Sequence, residues 1–329
     1  MTLPADTTLF ARVLAKTHEY LDFPSVVGHE TPFLDHLARD FTALGCTVER
    51  SQNLCVIKLG EPGPVYLAHA DRHGAVIAED GAAIYAAHAV KNTKYADGAK
   101  ASETFTDIVS KRYAGEDVFA YDRKTGGRLA YGVITGAHMD EQERLVMDIT
   151  GLPPLPGGTP VALARDVTPN KSGCVAGQLD NPVSLAALRI AAEFGLNGTI
   201  IVTAEEEIGR SATHFLDWAS AGGLPPTKEL IVCDTSPFDD GAAAMAGFHD
   251  ATISRLENAA SRAGAPMIFK DSFITRENEA RARRELPLKS MGLTELGKIT
   301  ANSQGVYAGA TLQLPTYNYH SNEETTSVK

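Results

Sequence analysis

The sequence predicts an α/β fold in which a mixed central sheet is sandwiched by helices and carries a smaller, mostly β inserted domain. Two observations predict it. In the second half, apolar runs typical of buried strands alternate with helical patterns. Between about residues 73 and 165 the chain changes to short segments separated by glycines. The length of 329 residues suits one large domain and one smaller one.

The first 70 residues predict two helices followed by three strands. LFARVLAKTHEYL and TPFLDHLARDFTALG repeat apolar residues at three- and four-residue intervals, and Gly45 is expected to end the second helix. CTVER, LCVIKLG and PVYLAHAD are short β-branched and apolar runs. The last of them leads into His69 and Asp71, so polar chemistry is expected at the end of that strand.

The inserted segment is predicted from GAVIAED, GAAIYAA, DVFAYD, RLAYGVITG and RLVMDITG, which contain no long amphipathic helix. The turn-rich loop LPPLPGGTP lies near its end. We therefore predict a main domain formed by residues 1–72 and 166–329, and an inserted domain over residues 73–165 that serves as a lid or an oligomerisation surface.

After the insert, helix PVSLAALRIAAEFG, strand TIIVTAEEE, a helix around SATHFLDWAS, strand ELIVCD, a helix around ATISRLENAASRAG and strand PMIFK follow in order. Strands this apolar belong in the middle of a sheet covered on both faces. Open α/β sheets bind their ligands at the carboxyl ends of such strands.

The composition excludes several partner classes. The net charge of -11, from 41 acidic and 30 basic residues, argues against nucleic acid because phosphate binding needs an excess of Lys and Arg. The chain has no apolar run long enough to cross a membrane and no signal-peptide pattern at its start, so we expect a cytoplasmic protein. Its four cysteines show no CxxC spacing, which argues against a thiolate zinc site or a disulfide framework.

Metal-ligand residue types follow the predicted strands or stand near the C-terminus: His69 and Asp71, the triplet Glu205 to Glu207, Asp234, and His320. Several carboxylates beside a buried strand end are costly unless a cation or a proton neutralises them. Nitrogen and carboxylate ligands without thiolates suit zinc, cobalt or manganese. The pattern therefore indicates a metal site.

Five motifs resemble the ligand motifs of the tetrahedral, or glutamyl, aminopeptidase family of co-catalytic di-zinc metallopeptidases. They are HADRHG, GQLDNPVS, TAEEEIG, VCDTSP and YNYHSNEE, which occur in the order usual for the family and extend over almost the whole chain. The long interval between the first two motifs is also where that family carries an inserted domain.

The resemblance implies two divalent metal ions, with zinc expected and cobalt or manganese as alternatives. His69 would bind one ion, His320 the other, and Asp180 would bridge them. Glu207 and Asp234 would each complete one site.

It also implies two catalytic residues. Glu206 would be the general base that activates a water shared by the two ions, and Asp71 would hydrogen-bond the second nitrogen of His69 and fix its tautomer. Glu205, which precedes the Glu pair of the motif, receives no role.

The implied function is an aminopeptidase that cleaves N-terminal residues from peptides, acting on a peptide or small amide as a homo-oligomer. Two departures leave the substrate preference open: Pro182 stands where the family has a basic residue, and Thr300 to Gly309 replaces a Thr-Asp-Ala segment. The alternatives are an amidohydrolase or deacylase acting on N-acyl amino acids, because the same water attacks any amide carbonyl, and a pocket that binds without turnover.

Overall fold

The computed structural model describes residues 7–87, 102–164, 168–169, 174–236, 242–245, 250–265, 267–288 and 294–327. Its helices are α1 (Thr7–Leu21), α2 (Thr31–Ala43), α3 (Glu103–Tyr113), α4 (Pro182–Glu193), α5 (Ser211–Trp218), α6 (Asp250–Ala263), α7 (Lys270–Ala282) and α8 (Glu295–Asn302). A 3-10 turn (Glu206–Ile208) and a π turn (Ala219–Gly223) supplement them.

Within the described residues, the strands form three sheets. The central sheet contains β1 (Thr47–Arg50), β2 (Leu54–Leu59), β3 (Val65–His69), β12 (Gly198–Thr203), β13 (Leu230–Ser236), β14 (Ala242–Met245), β15 (Met267–Phe269) and β16 (Gly309–Pro315). A closed barrel contains β4 (Gly74–Ile77), β5 (Ala83–Tyr85), β6 (Asp117–Tyr121), β7 (Arg128–Met139), β8 (Leu145–Thr150) and β9 (Pro160–Leu163). A small sheet contains β10 (Thr168–Pro169), β11 (Cys174–Gly177) and β17 (Glu324–Ser327).

The central sheet is mixed, with strand order β1-β2-β12-β3-β13-β16-β14-β15. The neighbours β12, β3, β13 and β16 run parallel to one another, whereas β2 is antiparallel to β12 and β14 is antiparallel to β16. Thr203 at the end of β12 lies opposite His69 at the end of β3. The carboxyl ends of these parallel strands therefore meet at one edge of the sheet.

Helices cover both faces of this sheet. Along β12, Ile200 and Val202 pack into one core with Phe33 of α2, and Ile201 packs on the opposite face with Phe215 of α5. Alternate residues of one strand thus enter two separate cores, which is why the strand is apolar throughout. The predicted fold class, a mixed sheet between helices with a smaller β-rich part, is confirmed.

The barrel has strand order β4-β5-β8-β7-β6-β9 and a core of its own. Helix α3 packs against β7 and is not among the elements predicted for this segment; Ser102 caps it by accepting a hydrogen bond from Phe105 N–H, and Val109 and Tyr113 are buried. All six strands lie between Gly74 and Leu163. We retain the division into residues 73–165 and the two flanking segments as a proposal.

Three cysteines whose side chains are described, Cys46, Cys55 and Cys233, are free thiols. Burial raises the pKa of the Cys55 thiol to about 12, which keeps it protonated and unreactive at neutral pH. Within the described ranges, no helix combines the length and apolar character needed to span a membrane.

A pair of glycines tests the packing at the start of β12. Gly198 has φ +114° and a Cβ there would lie 2.1 Å from the Pro64 carbonyl oxygen, whereas Gly45 has φ +89° and open space around it. We expect Gly198→Ala to destabilise the protein by about 3 kcal/mol or more, because both the backbone and the neighbour must shift. Gly45→Ala should lower stability by only about 1 kcal/mol.

The measurement is urea unfolding followed by the fluorescence of Trp218, the single tryptophan. Equal losses for the two variants would show that the close approach at Gly198 does not constrain this strand.

Candidate metal centre

The site lies where the parallel strands end. His69 is the last residue of β3, the pair Glu206 and Glu207 follows β12 in the 3-10 turn, and Asp234 lies near the end of β13. Asp180 and His320 reach the same place from connecting segments. The structure therefore brings together all seven residues predicted for the site, including Asp71.

The first group of donor atoms consists of His69, Asp180 and Asp234. His69 Nε2 lies 2.9 Å from Asp180 Oδ1 and 3.5 Å from Asp234 Oδ1. One donor atom from each residue lies within 4.8 Å of the others, which is the spacing that a single cation needs.

The second group contains a residue that was not predicted. Glu207 and His320 are joined by His73, whose Nε2 lies 2.9 Å from Glu207 Oε2, and the three donors again lie within 4.8 Å of one another. His320 Nε2 lies 3.8 Å from Glu207 Oε2 and 3.5 Å from Asp180 Oδ2. The two oxygens of Asp180 thus face different groups, as expected for a bridging carboxylate.

The donor set fits divalent cations. Imidazole nitrogens and carboxylate oxygens converge without thiolates, which suits zinc, cobalt or manganese. Glu207 Oε1 and His73 Nε2 are buried and form no hydrogen bond. Such buried, unsatisfied acceptors are costly unless an ion neutralises them.

The carboxyl groups of the site are shifted by their surroundings. Burial raises the pKa of Glu207 to about 8, with Asp180 and Asp71 adding to the effect and His320 opposing it. Burial also raises the pKa of the partly buried Glu206 well above its usual value. For Asp180 the effect of burial is outweighed by hydrogen bonds to His320 and His69, which hold its pKa below its usual range.

Two buried carboxylates hold the turn that carries the Glu pair. Glu30 Oε1 accepts from Glu205 N–H at 3.2 Å, Asp71 Oδ1 accepts from Glu206 N–H at 2.9 Å, and Asp71 Oδ2 accepts from Glu207 N–H at 2.9 Å. Three successive backbone donors are therefore bound by acidic side chains from other parts of the chain. This arrangement fixes which residues of the Glu triplet point into the site.

Asp71 also lies beside His69, as predicted, with its backbone as the nearer partner. His69 Nδ1 is 3.1 Å from the Asp71 carbonyl oxygen and 3.5 Å from Asp71 Oδ1. Glu205, to which no role was given, pairs instead with His214 at 2.8 Å.

Glu324 is a second residue that the sequence analysis did not single out. Its Oε2 accepts from Asp180 N–H at 2.8 Å and its Oε1 accepts from His320 N–H at 2.7 Å. Asn181 adds a further tie, since its side chain donates to the Cys233 carbonyl oxygen at 2.8 Å, next to Asp234. Asn181 lies in the motif GQLDNPVS and Glu324 in the motif YNYHSNEE. Closeness in sequence to a candidate ligand is the signal that could have identified them.

Asp71→Asn tests how the turn is held. An amide offers a single oxygen, so one of the two N–H groups would lose its acceptor inside the protein. We expect a loss of about 1–3 kcal/mol in the stability of the metal-free protein, measured by thermal unfolding.

Glu30→Gln is the matched control, because Oε1 alone accepts both hydrogen bonds that this carboxyl receives, from Gly28 and Glu205. Burial raises the pKa of Glu30 to about 8. The wild type therefore loses stability as the pH rises from the unfolded value toward 8, whereas the amide does not ionise. We expect near-equal stability at about pH 5 and a more stable variant above about pH 8; a large loss at both pH values would contradict this account.

Comparisons with known proteins bear on the fold. Neither a scan against protein-family models nor a search of curated proteins finds a match. Among solved structures, an aminopeptidase from the archaeon Desulfurococcus kamchatkensis matches with a TM-score of 0.68 and 17% identity, over 97% of this chain and 91% of the other.

The TET1 peptidase of Pyrococcus horikoshii, which can assemble into a tetrahedron or a large octahedral shell, matches with a TM-score of 0.63 and 15% identity over 95% of this chain and 94% of the other. An endoglucanase from Thermotoga maritima matches with a TM-score of 0.57 and 15% identity over 95% and 91%. The fold implied by the five-motif resemblance is therefore confirmed: the chain folds like the tetrahedral aminopeptidases.

Proposed function

We propose that this protein is a metal-dependent hydrolase, and most specifically an aminopeptidase that removes N-terminal residues from peptides. The observation that carries the proposal is the placement of Asp180, whose two carboxylate oxygens face two separate groups of nitrogen and oxygen donors. This arrangement suits a pair of cations bridged by one carboxylate.

In this proposal His69, Asp180 and Asp234 hold one divalent ion, and Asp180, Glu207 and His320 hold the other, with zinc expected. When bound, such ions lower the pKa of water and polarise the carbonyl of the bond to be cleaved. The remaining chemistry is supplied by the protein.

Glu206 is the residue proposed to move the proton. Its backbone N–H donates to Asp71 Oδ1 at 2.9 Å, and its pKa is raised by burial and by the negative charges of Asp234 and Glu207. A carboxylate of raised pKa beside an attacking water can accept its proton and later donate it to the leaving amine. Such a step typically contributes about a hundred- to ten-thousand-fold in rate.

The choice of an aminopeptidase over a deacylase rests on resemblance. The five sequence motifs resemble those of the tetrahedral aminopeptidases, and the fold is similar to that of solved aminopeptidase structures.

Assembly is a further part of the proposal. The similar TET1 peptidase assembles into large shells, and strand β7 of this chain exposes Leu129, Tyr131 and Val133 along one side. Alternating apolar residues on an exposed strand are typical of a surface that is covered in an assembly. We propose that the chain forms a homo-oligomer in the cytoplasm.

Asp180→Ala tests the bridge. If this carboxylate contributes to both ions, the variant should lose most of both, so that bound zinc falls from about two ions per chain toward none. Elemental analysis of the purified proteins measures this. Asp148→Ala is the control, since that acid is partly exposed on the barrel and pairs with His138. A metal content that is the same in Asp180→Ala as in the wild type would refute the bridged centre.

Glu206→Gln tests the chemistry. The variant should retain both ions and lose turnover by at least about a hundred-fold, because an amide cannot accept the proton. The assay is a panel of aminoacyl amides and N-acyl amino acids. Faster hydrolysis of the acyl amino acids would replace the peptidase assignment by a deacylase, and unchanged activity in the variant would refute the role of Glu206.

A further inference from the structure

We propose that His73 is a direct ligand of the second ion, so that this ion is held by four protein side chains and the first ion by three. The inference rests on the proposed di-metal function and goes beyond it, since the five motifs that resemble the aminopeptidase family assign no role to His73.

The position of His73 is that of a ligand. The side chain is buried at the start of the barrel, with 7% of the residue exposed, and its ring lies 4.6 Å from the ring of His320 between centroids. Its Nε2 lies 2.9 Å from Glu207 Oε2, yet the two atoms lack the alignment of a hydrogen bond. Closeness without alignment is expected when two donor atoms converge on a common point.

The contacts on the opposite side of the ring support a tautomer in which Nδ1 carries the proton and Nε2 is free to bind an ion. Nδ1 lies 2.5 Å from the Tyr85 hydroxyl and 3.1 Å from the Tyr113 hydroxyl, and Tyr113 donates to the His320 carbonyl oxygen at 2.7 Å. The rings of Tyr85 and Tyr113 lie 6.1 Å apart between centroids. Since the Tyr113 proton is used on the carbonyl, Tyr113 does not donate to Nδ1, and a proton on Nδ1 that is donated to the Tyr85 hydroxyl gives a consistent set of hydrogen bonds.

This assignment leaves Nε2 of His73 with a lone pair directed at a carboxylate. Two acceptors that face each other in a buried site repel unless a proton or a cation lies between them, and a cation can be shared with the further donors of this group. The neighbouring Glu207 Oε1 is also unsatisfied. A metal ion bound by His73, Glu207, His320 and the Asp180 oxygen that faces them would satisfy all of these atoms together.

The consequence is an asymmetric pair of sites. Four protein ligands close the coordination of a zinc-like ion, as in structural sites, whereas three leave a position open, as in catalytic sites. The second ion would then be held by one more protein side chain than the first, and the two ions should differ in affinity.

The test is a titration of the metal-free protein with cobalt(II), followed by the visible absorption of the bound ion, for the wild type, His73→Ala and His73→Gln. We expect the wild type to bind about two ions, and both variants to retain the affinity of the first ion but to bind the second about 100-fold more weakly or worse. His138→Ala, at an exposed histidine of the barrel, should match the wild type.

X-ray absorption of the loaded wild type provides a measurement that needs no variant. Three histidines shared between two ions are expected, against two if His73 is not a ligand. Unfolding of the metal-free variants is checked by circular dichroism.

Two results would overturn the inference alone: a wild type with two ions and only two bound histidines, or variants that retain the affinity of the second ion. A wild type that binds no cobalt or zinc would instead remove the proposed di-metal function and this inference with it.

Discussion

The crowding of carboxyl groups at one edge of the central sheet is the constraint on which the site depends. Asp180, Glu206, Glu207 and Asp234 converge with buried or partly buried side chains. The nearest groups able to carry positive charge are the imidazoles of His69, His73 and His320. Like charges in a medium of low dielectric raise one another's pKa or require a counter-ion. Burial and this crowding both raise the pKa of Glu207. The proposed cations would allow the cluster to stay ionised.

Around this inner set, other buried acids act on the backbone instead of on an ion. Glu30 and Asp71 accept from three successive N–H groups before and within the turn of the Glu pair, and Glu324 accepts from the N–H groups of Asp180 and His320. A buried N–H group that loses its acceptor costs about 1–3 kcal/mol, so these carboxyl oxygens constrain the backbone. The inner carboxylates are thereby held close together although they repel each other, which is the condition for a site that is ready before any ion arrives. The two sets of acids differ in what they face. The outer acids accept hydrogen bonds from the main chain, whereas the inner ones face the other donor atoms of the site.

The barrel helps to position residues of the site. Tyr85 and Tyr113 belong to the barrel's own core and also contact His73 and the His320 backbone, and Asn322 donates to Glu116 at 2.6 Å. The segment around His320, which is proposed to bind an ion, is therefore held by the barrel. Any displacement of the barrel would move the second donor group more than the first, because His69, Asp180 and Asp234 are positioned by the central sheet and its neighbours. The two halves of the site thus differ in what supports them.

The sequence predicts those parts of the fold and site in which an apolar strand pattern is followed directly by polar candidate residues. The apolar strands β3, β12 and β13 and their polar ends were identifiable because a buried parallel strand leaves a long apolar run and its end meets the ligand edge. Strand β16 was not predicted, since TLQLP is short and half polar, and its place beside β13 depends on pairing between residues far apart in the chain. His73 was missed for a related reason. Its proposed role depends on four residues that only the folded chain brings to it: Tyr85, Tyr113, Glu207 and His320. No spacing within HADRHG could therefore distinguish it from a structural histidine.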